Sequence, residues 1–60
     1  MTVLILFKEG ENPYVQLEDV FSIEKSNGDI VFKTMNNSYL YSVHRFHADE
    51  ISFINVYKVV

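Results

Sequence analysis

Ser26-Asn27-Gly28-Asp29 constrains this chain more than any other stretch, because it fixes how the central segments pair. An Asn-Gly pair between two apolar runs demands positive φ at both central positions, the geometry of a two-residue type I′ hairpin turn. With Asn27 and Gly28 at the tip, Ser26 pairs with Asp29. Lys25 then faces Ile30, Glu24 faces Val31, Ile23 faces Phe32, Ser22 faces Lys33 and Phe21 faces Thr34. Side chains alternate across a strand. One face therefore collects Phe21, Ile23, Ile30 and Phe32, and the other collects Val20, Ser22, Glu24, Val31 and Lys33. Glu24 and Lys33 fall on a diagonal of the second face, where opposite charges attract weakly.

Asn36-Asn37 predicts a second turn, since Asn enters left-handed backbone more readily than most residues. Counting outward opposes Met35 with Ser38, Thr34 with Tyr39, Lys33 with Leu40, Phe32 with Tyr41, Val31 with Ser42 and Ile30 with Val43. Tyr39, Tyr41 and Val43 then join the face of Phe32, and Val20, Val31 and Leu40 become the apolar positions of the outer face. The expectation is a three-stranded meander over residues 20–43, with a core face that a one-residue slip would invert.

Outside the meander, residues 2–7 read as a strand with both faces apolar. Residues 8–13 form a polar loop, residues 14–17 a short strand, and Glu18-Asp19 a turn or bulge. Residues 44–50 interrupt the β pattern, with Phe46 as an apolar anchor and Ala48-Asp49-Glu50 closing a short helical turn. Residues 51–59 resume it with good strand formers. Ile51 and Phe53 suit one face there, while Ile54 and Val56 suit the other, so either both faces are covered or a bulge lies near Phe53-Ile54. Residues 1–60 are thus one small all-β domain. The expected architecture is a five-stranded meander with a short helical turn before the last strand. It forms either an SH3-like, partly open barrel or a curved antiparallel sheet. The terminal strands either pair with each other or lie at edges, where they would pair with another copy.

A sixty-residue chain buries only about 60% of the surface that its unfolded form exposes, so its margin of stability is thin. The chain has no cysteine, which excludes disulfides and cysteine-type zinc sites. Apolar residues make up 48% of it, which favours self-association as the remaining support, and a homodimer is expected. Five Lys and Arg against eight Asp and Glu leave a net charge of −3, a poor basis for holding a phosphate backbone. The apolar run at residues 3–7 is too short to span a membrane or to act as a signal segment, so the expected location is cytoplasmic.

His44 and His47, followed by Asp49 and Glu50, have ligand chemistry but no established zinc spacing, so no metal is expected. The serines stand in no nucleophile motif, both glycines lie in loops, and a body this small leaves little room for a ligand pocket. We therefore expect no enzymatic activity and no cofactor. The run Arg45-Phe46-His47 places a cation, an aromatic and an imidazole on one connection. With Lys33, Lys58 and His44 it would form a basic and aromatic spot able to contact phosphate or stack on a base. The stretch from Gln16 to Val43, with Val20-Phe21-Ser22-Ile23-Glu24 before the Asn-Gly turn, resembles the opening strands of the LytTR-type DNA-binding domain. That resemblance covers under half of the chain, and it transfers no site residues. The leading expectation is a non-enzymatic interaction protein that binds a protein partner, or itself, through a β-surface or strand edge. Val20, Val31, Lys33, Leu40, Arg45, Phe46 and His47 are the candidate contact residues. The alternative is a small nucleic-acid-binding barrel centred on Arg45.

Overall fold

In the computed structural model, which describes residues 1–11 and 13–58, six strands form two three-stranded antiparallel sheets. The strands are β1 (Thr2–Phe7), β2 (Tyr14–Leu17), β3 (Val20–Ser26), β4 (Asp29–Met35), β5 (Tyr41–His47) and β6 (Ile51–Tyr57). A 3-10 turn at Ala48–Glu50 precedes β6, as the sequence indicates. The first sheet has the order β2-β1-β6 and the second β3-β4-β5. They do not close into a barrel; the curved antiparallel sheet is the expected architecture that matches. At one corner the sheets share backbone bonds. The Val20 N–H donates to the Met1 carbonyl at 2.9 Å, and the Met1 ammonium donates to the Val20 carbonyl at 3.1 Å.

The Asn-Gly turn forms as the sequence dictates. Asn27 has φ +50° and Gly28 φ +79°, and the register from Ser26↔Asp29 to Ser22↔Lys33 is the expected one. It departs one residue later. Thr34 pairs with Val20 rather than Phe21, so Phe21 is the extra residue of a β-bulge. The bulge moves Val20 onto the core face and turns Phe21 outward.

The second turn corrects a larger part of the expectation. Met35 pairs with Tyr41, so residues 36–40 form a longer loop in place of a two-residue turn. Asn37 does not serve as a tight-turn residue; its side-chain oxygen accepts from the N–H groups of Tyr39 (2.8 Å) and Leu40 (3.0 Å). The displacement is odd, so every side chain of β5 changes face. Ser42, His44 and Phe46 lie on the face of Phe32, while Tyr41, Val43, Arg45 and His47 point outward. Tyr39 lies in the loop, 92% exposed. Strand β5 also runs through His47, so Arg45-Phe46-His47 belongs to a strand and not to a connection.

Strand β6 resolves its own parity with a second bulge. Leu6 pairs with Phe53 and Phe7 with Ile51, leaving Ser52 as the extra residue. Ile51 and Ile54 therefore both reach the core. Strand β1 lies at the centre of its sheet, between β2 and β6, so the terminal strands pair with each other. Its two faces differ, however. Val3 and Ile5 are fully buried, while Leu6 on the other face is exposed. Val59, which the sequence assigns to this last strand, and Asn12 of the polar loop lie outside the described residues.

The core sits between the sheets. Val3, Ile5, Leu17, Val20 and Phe32 form its buried cluster, with Phe7, Val15, Ile30, Phe46, Ile51 and Ile54 packed around it. The Phe46 ring lies 5.4 Å from that of Phe7 and 5.9 Å from that of Phe32, bridging the two sheets. Phe32→Ala should cost about 3–5 kcal/mol, enough to unfold much of so small a domain, while Tyr39→Ala should stay within about 0.5 kcal/mol. Urea denaturation followed by circular dichroism checks both. An added Cβ at Gly28 would meet nothing within 4 Å, so Gly28→Ala should cost only its left-handed backbone penalty, about 1–2 kcal/mol.

Candidate interaction surface

The charge of this chain is segregated by sheet. The strands Thr2–Phe7, Tyr14–Leu17 and Ile51–Tyr57 contain no Asp, Glu, Lys, Arg or His. The β3-β4-β5 sheet carries Glu24, Lys25, Asp29, Lys33 and Arg45, with the two histidines. The remaining charges lie in loops and beyond the strand ends. One face of the uncharged sheet packs on the core. On the other, register places Leu6 between Tyr14 and Phe53, with Leu4 between Gln16 and Asn55 and Thr2 beside Tyr57. Tyr14 is 61% exposed and Phe53 57%, with Leu6 and Tyr57 also open to solvent. Exposed aromatics of this size contiguous in one sheet mark an interaction surface more often than a solvated one.

Strand β6 adds a directional element to that surface. The Phe7 N–H donates toward β2, to the Pro13 carbonyl at 2.8 Å, and the Lys8 N–H donates toward β6, to Glu50 at 2.9 Å. Backbone groups alternate in direction along a strand. Thr2, Leu4 and Leu6 therefore address β6, and their partners Tyr57, Asn55 and Phe53 address β1. Ile54 and Val56 are left with N–H and C=O groups pointing out of the sheet. Among the described residues no strand pairs with this edge. The other three edges are protected. Strand β3 has its bulge and Glu24 with Lys25, β5 has Arg45 and two histidines, and β2 has only four residues.

The residues singled out from sequence separate into two groups. Val20, expected on the outer face, is 2% exposed in the core. Phe46 packs inside against Phe7 and Phe32, on the opposite side of β5 from Arg45 and His47, so the basic and aromatic spot does not assemble. Val31 does lie on the outer face, but it is buried there, ringed by Glu24, Arg45, Asp29 and Lys33. Leu40 is exposed in the loop after β4. Lys33 sits 3.6 Å from Glu24 and 6.0 Å over the Tyr41 ring, which makes an edge contact with Phe21. Arg45 and His47 converge on one carboxylate, Asp29. The Arg45 guanidinium donates to Oδ2 at 3.1 Å, and Nδ1 of His47 lies 2.8 Å from Oδ1. Lys33 and Arg45 thus both have carboxylate partners, and Lys58 follows β6 in the other sheet.

His44 and His47 fall on opposite faces of β5 and cannot close on one ion. His44 faces the core side, its Nε2 at 3.0 Å from the Thr34 hydroxyl. Among the described residues no three His, Asp or Glu side chains are grouped to hold a metal. An open depression of about 600 Å³ lies between the loop after β1 and the 3-10 turn, lined by Lys8, Glu9, Gly10, Asp49 and Glu50. It is larger than expected for a body this small, but among the described residues neither a histidine nor a hydroxyl lines it. Among the described residues no helix is long and apolar enough to cross a membrane. Compared with family models, curated proteins and solved structures, this chain matches none.

The aromatic face and the open edge of β6 were readable only in part. The charge-free composition of the three segments stands in the sequence. Which strand lies at an edge, and which face points outward, depends on the bulge at Ser52 and on β1 lying between β2 and β6.

The Arg45 guanidinium holds the Asp29 carboxyl below its ordinary value of 3.8, with His47 acting in the same direction and partial loss of solvation opposing both. A carboxyl lowered in the folded state stabilises the fold above its unfolded pKa and loses that contribution as pH falls through the folded value. Asp29→Asn should therefore lower the melting temperature at neutral pH, and its gap from the parent chain should narrow as pH drops below 3.8. Thermal melts across an acid pH series check this. A gap that stays constant would remove the role assigned to the carboxylate charge.

Proposed function

We propose that this chain is a non-enzymatic interaction module that binds a protein strand along the open edge of β6. Strand addition takes its affinity from main-chain hydrogen bonds and its selectivity from side chains on either face of the new pair. The observation that carries the reading is the unprotected edge itself, seven residues without a charge, whose Ile54 and Val56 direct their backbone groups outward. The neighbouring face, with Leu6, Tyr14, Phe53 and Tyr57, offers apolar area to whatever lies beside that strand. Such a function demands no catalytic or cofactor motif. The cytoplasm is the proposed setting, in keeping with the absence of cysteine.

Val56→Pro is the informative variant. It removes an outward N–H and places a ring on the edge, while the bonds from β6 to β1 are made by its neighbours. The intact chain and Val56→Pro, both checked for fold by circular dichroism, serve as baits in nuclease-treated native lysate read by mass spectrometry. A protein held by the intact chain and lost with Val56→Pro is the expected result. Equal recovery on both baits would overturn the edge reading. Recovery that disappears with nuclease would turn attention to nucleic acid.

A further inference from the structure

The sequence of β6 is symmetric in chemical type about its Asn. Phe53-Ile54-Asn55-Val56-Tyr57 reads aromatic, β-branched, amide, β-branched, aromatic in either direction. A two-fold interface requires this property, because residue i of one copy must suit residue j of the other and j must suit i. We propose that the occupant of the β6 edge is β6 of a second copy, paired antiparallel with the two-fold axis at Asn55. The inference rests on the edge-docking reading and names its partner.

Geometry narrows the register before chemistry does. Outward-directed residues must pair with each other to exchange hydrogen bonds. In β6 these are Ile54 and Val56, so the axis falls at Ile54, at Asn55 or at Val56. An axis at Ile54 sets Phe53 against Asn55 and Ser52 against Val56. An axis at Val56 sets Tyr57 against Asn55 and Ile54 against Lys58. Both oppose unlike groups. An axis at Asn55 sets Ile54 against Val56 as the hydrogen-bonded pair, on the core side. It sets Phe53 against Tyr57 on the outer side, a cross-strand aromatic pairing of the favourable kind. The two Asn55 side chains then meet at the axis, where each carboxamide can donate to the other and accept from it.

The charges agree with this arrangement. Antiparallel pairing carries Lys58 of each copy toward Asp49 and Glu50 of the other, and no charged residue lies within the paired segments. Two chains of net charge −3 therefore approach along the one sheet whose strands carry none of that charge. The pairing covers Val56, 48% exposed in the single chain, and joins the two aromatic faces into one six-stranded sheet.

The absence of cysteine permits a direct test. Asn55 and its counterpart would form a non-hydrogen-bonded antiparallel pair with Cα atoms about 4.5 Å apart, within disulfide reach. Under mild oxidation Asn55→Cys should form a covalent dimer at least about tenfold faster than Tyr57→Cys, whose thiols would stand four residues apart along the pair at about 3.4 Å per residue. Sedimentation of the unsubstituted chain should show a dimer that grows between about 10 μM and 1 mM, and Val56→Pro should weaken it at least about tenfold. A chain that stays monomeric at about 1 mM overturns the self-pairing. So does a dimer in which Tyr57→Cys cross-links as fast as Asn55→Cys, because that places the axis elsewhere. Neither of these results touches the capture of a different protein by the intact chain and its loss with Val56→Pro. Failure of the self-pairing and failure of the edge reading are therefore distinguishable.

Discussion

Strand side chains have a period of two, so each unpaired residue inserted into a ladder exchanges the buried set for the exposed set on one side of it. The contents of this core depend on that parity. Phe21 is one such insertion, and it delivers Val20 to the interior while setting its own ring against Tyr41 outside. Ser52 is the other, and it lets Ile51 and Ile54 face Phe7 and Ile5 across β1 and β6. Without these bulges Val20 and Ile51 would stand on the solvent side. Among the described residues the largest fully buried side chains are Phe32, Ile5 and Val3, so either loss would remove a large share of the contacts between the sheets. The aromatic bridge Phe7–Phe46–Phe32 depends on the same parity, because Phe46 reaches the interior only in the register set by the five residues between Met35 and Tyr41.

The two sheets meet solvent in different ways. On the β3-β4-β5 sheet, Val31 is buried at the centre of the outer face by the side chains around it, which are tied in the pairs Glu24–Lys33 and Asp29–Arg45. The aliphatic stems of such chains shield an apolar residue while their heads stay hydrated. That cover is confined to the centre of the face: Phe21, Met35, Tyr41 and Val43 stay exposed toward its margins. On the β2-β1-β6 sheet nothing equivalent is available, because its strands carry no long charged chain. Leu6, Tyr14 and Phe53 remain open there for want of a cover, and the same lack leaves the β6 edge without the lysine or glutamate that would discourage pairing.

Much of the fold was legible wherever one residue type has few conformational options. Asn27-Gly28 fixed five consecutive pairs correctly, because little else accepts positive φ twice in succession. The 3-10 turn at Ala48–Glu50, the short strand Tyr14–Leu17 and the Glu18-Asp19 turn, where Asp19 has φ +57°, were also apparent. Asn36-Asn37 misled because Asn has two uses in a turn. It can adopt left-handed backbone, or it can accept backbone N–H groups through its side chain, and Asn37 does the second. The apparent agreement of the tyrosines with Phe32 gave no protection, since alternating apolar residues look equally consistent after an odd displacement. The bulges were invisible for a related reason. Phe21 and Val20 are both good strand formers, so local composition does not say which of them turns inward.

Residues chosen for their chemistry alone, such as Phe46 beside Arg45 and His47, were separated by the pleat, which sends neighbours to opposite faces. The residues that share a face are two apart in sequence, or opposite one another in register, and local composition does not display them as a group. Phe53 and Tyr57 become neighbours of Leu6 and Thr2 only through a pairing that spans almost the whole chain. A sheet edge is harder still to read, because it is defined by the strand that does not pair with it. What the sequence does carry is the symmetry of Phe53-Ile54-Asn55-Val56-Tyr57. That pattern has no consequence for a strand paired on both sides by unlike neighbours, and it acquires one when the strand lies open at an edge. An edge that suits its own reverse is complementary to the partner present wherever the chain itself is present. In a body with so small a core, extending the sheet through that edge adds buried surface that the single chain lacks.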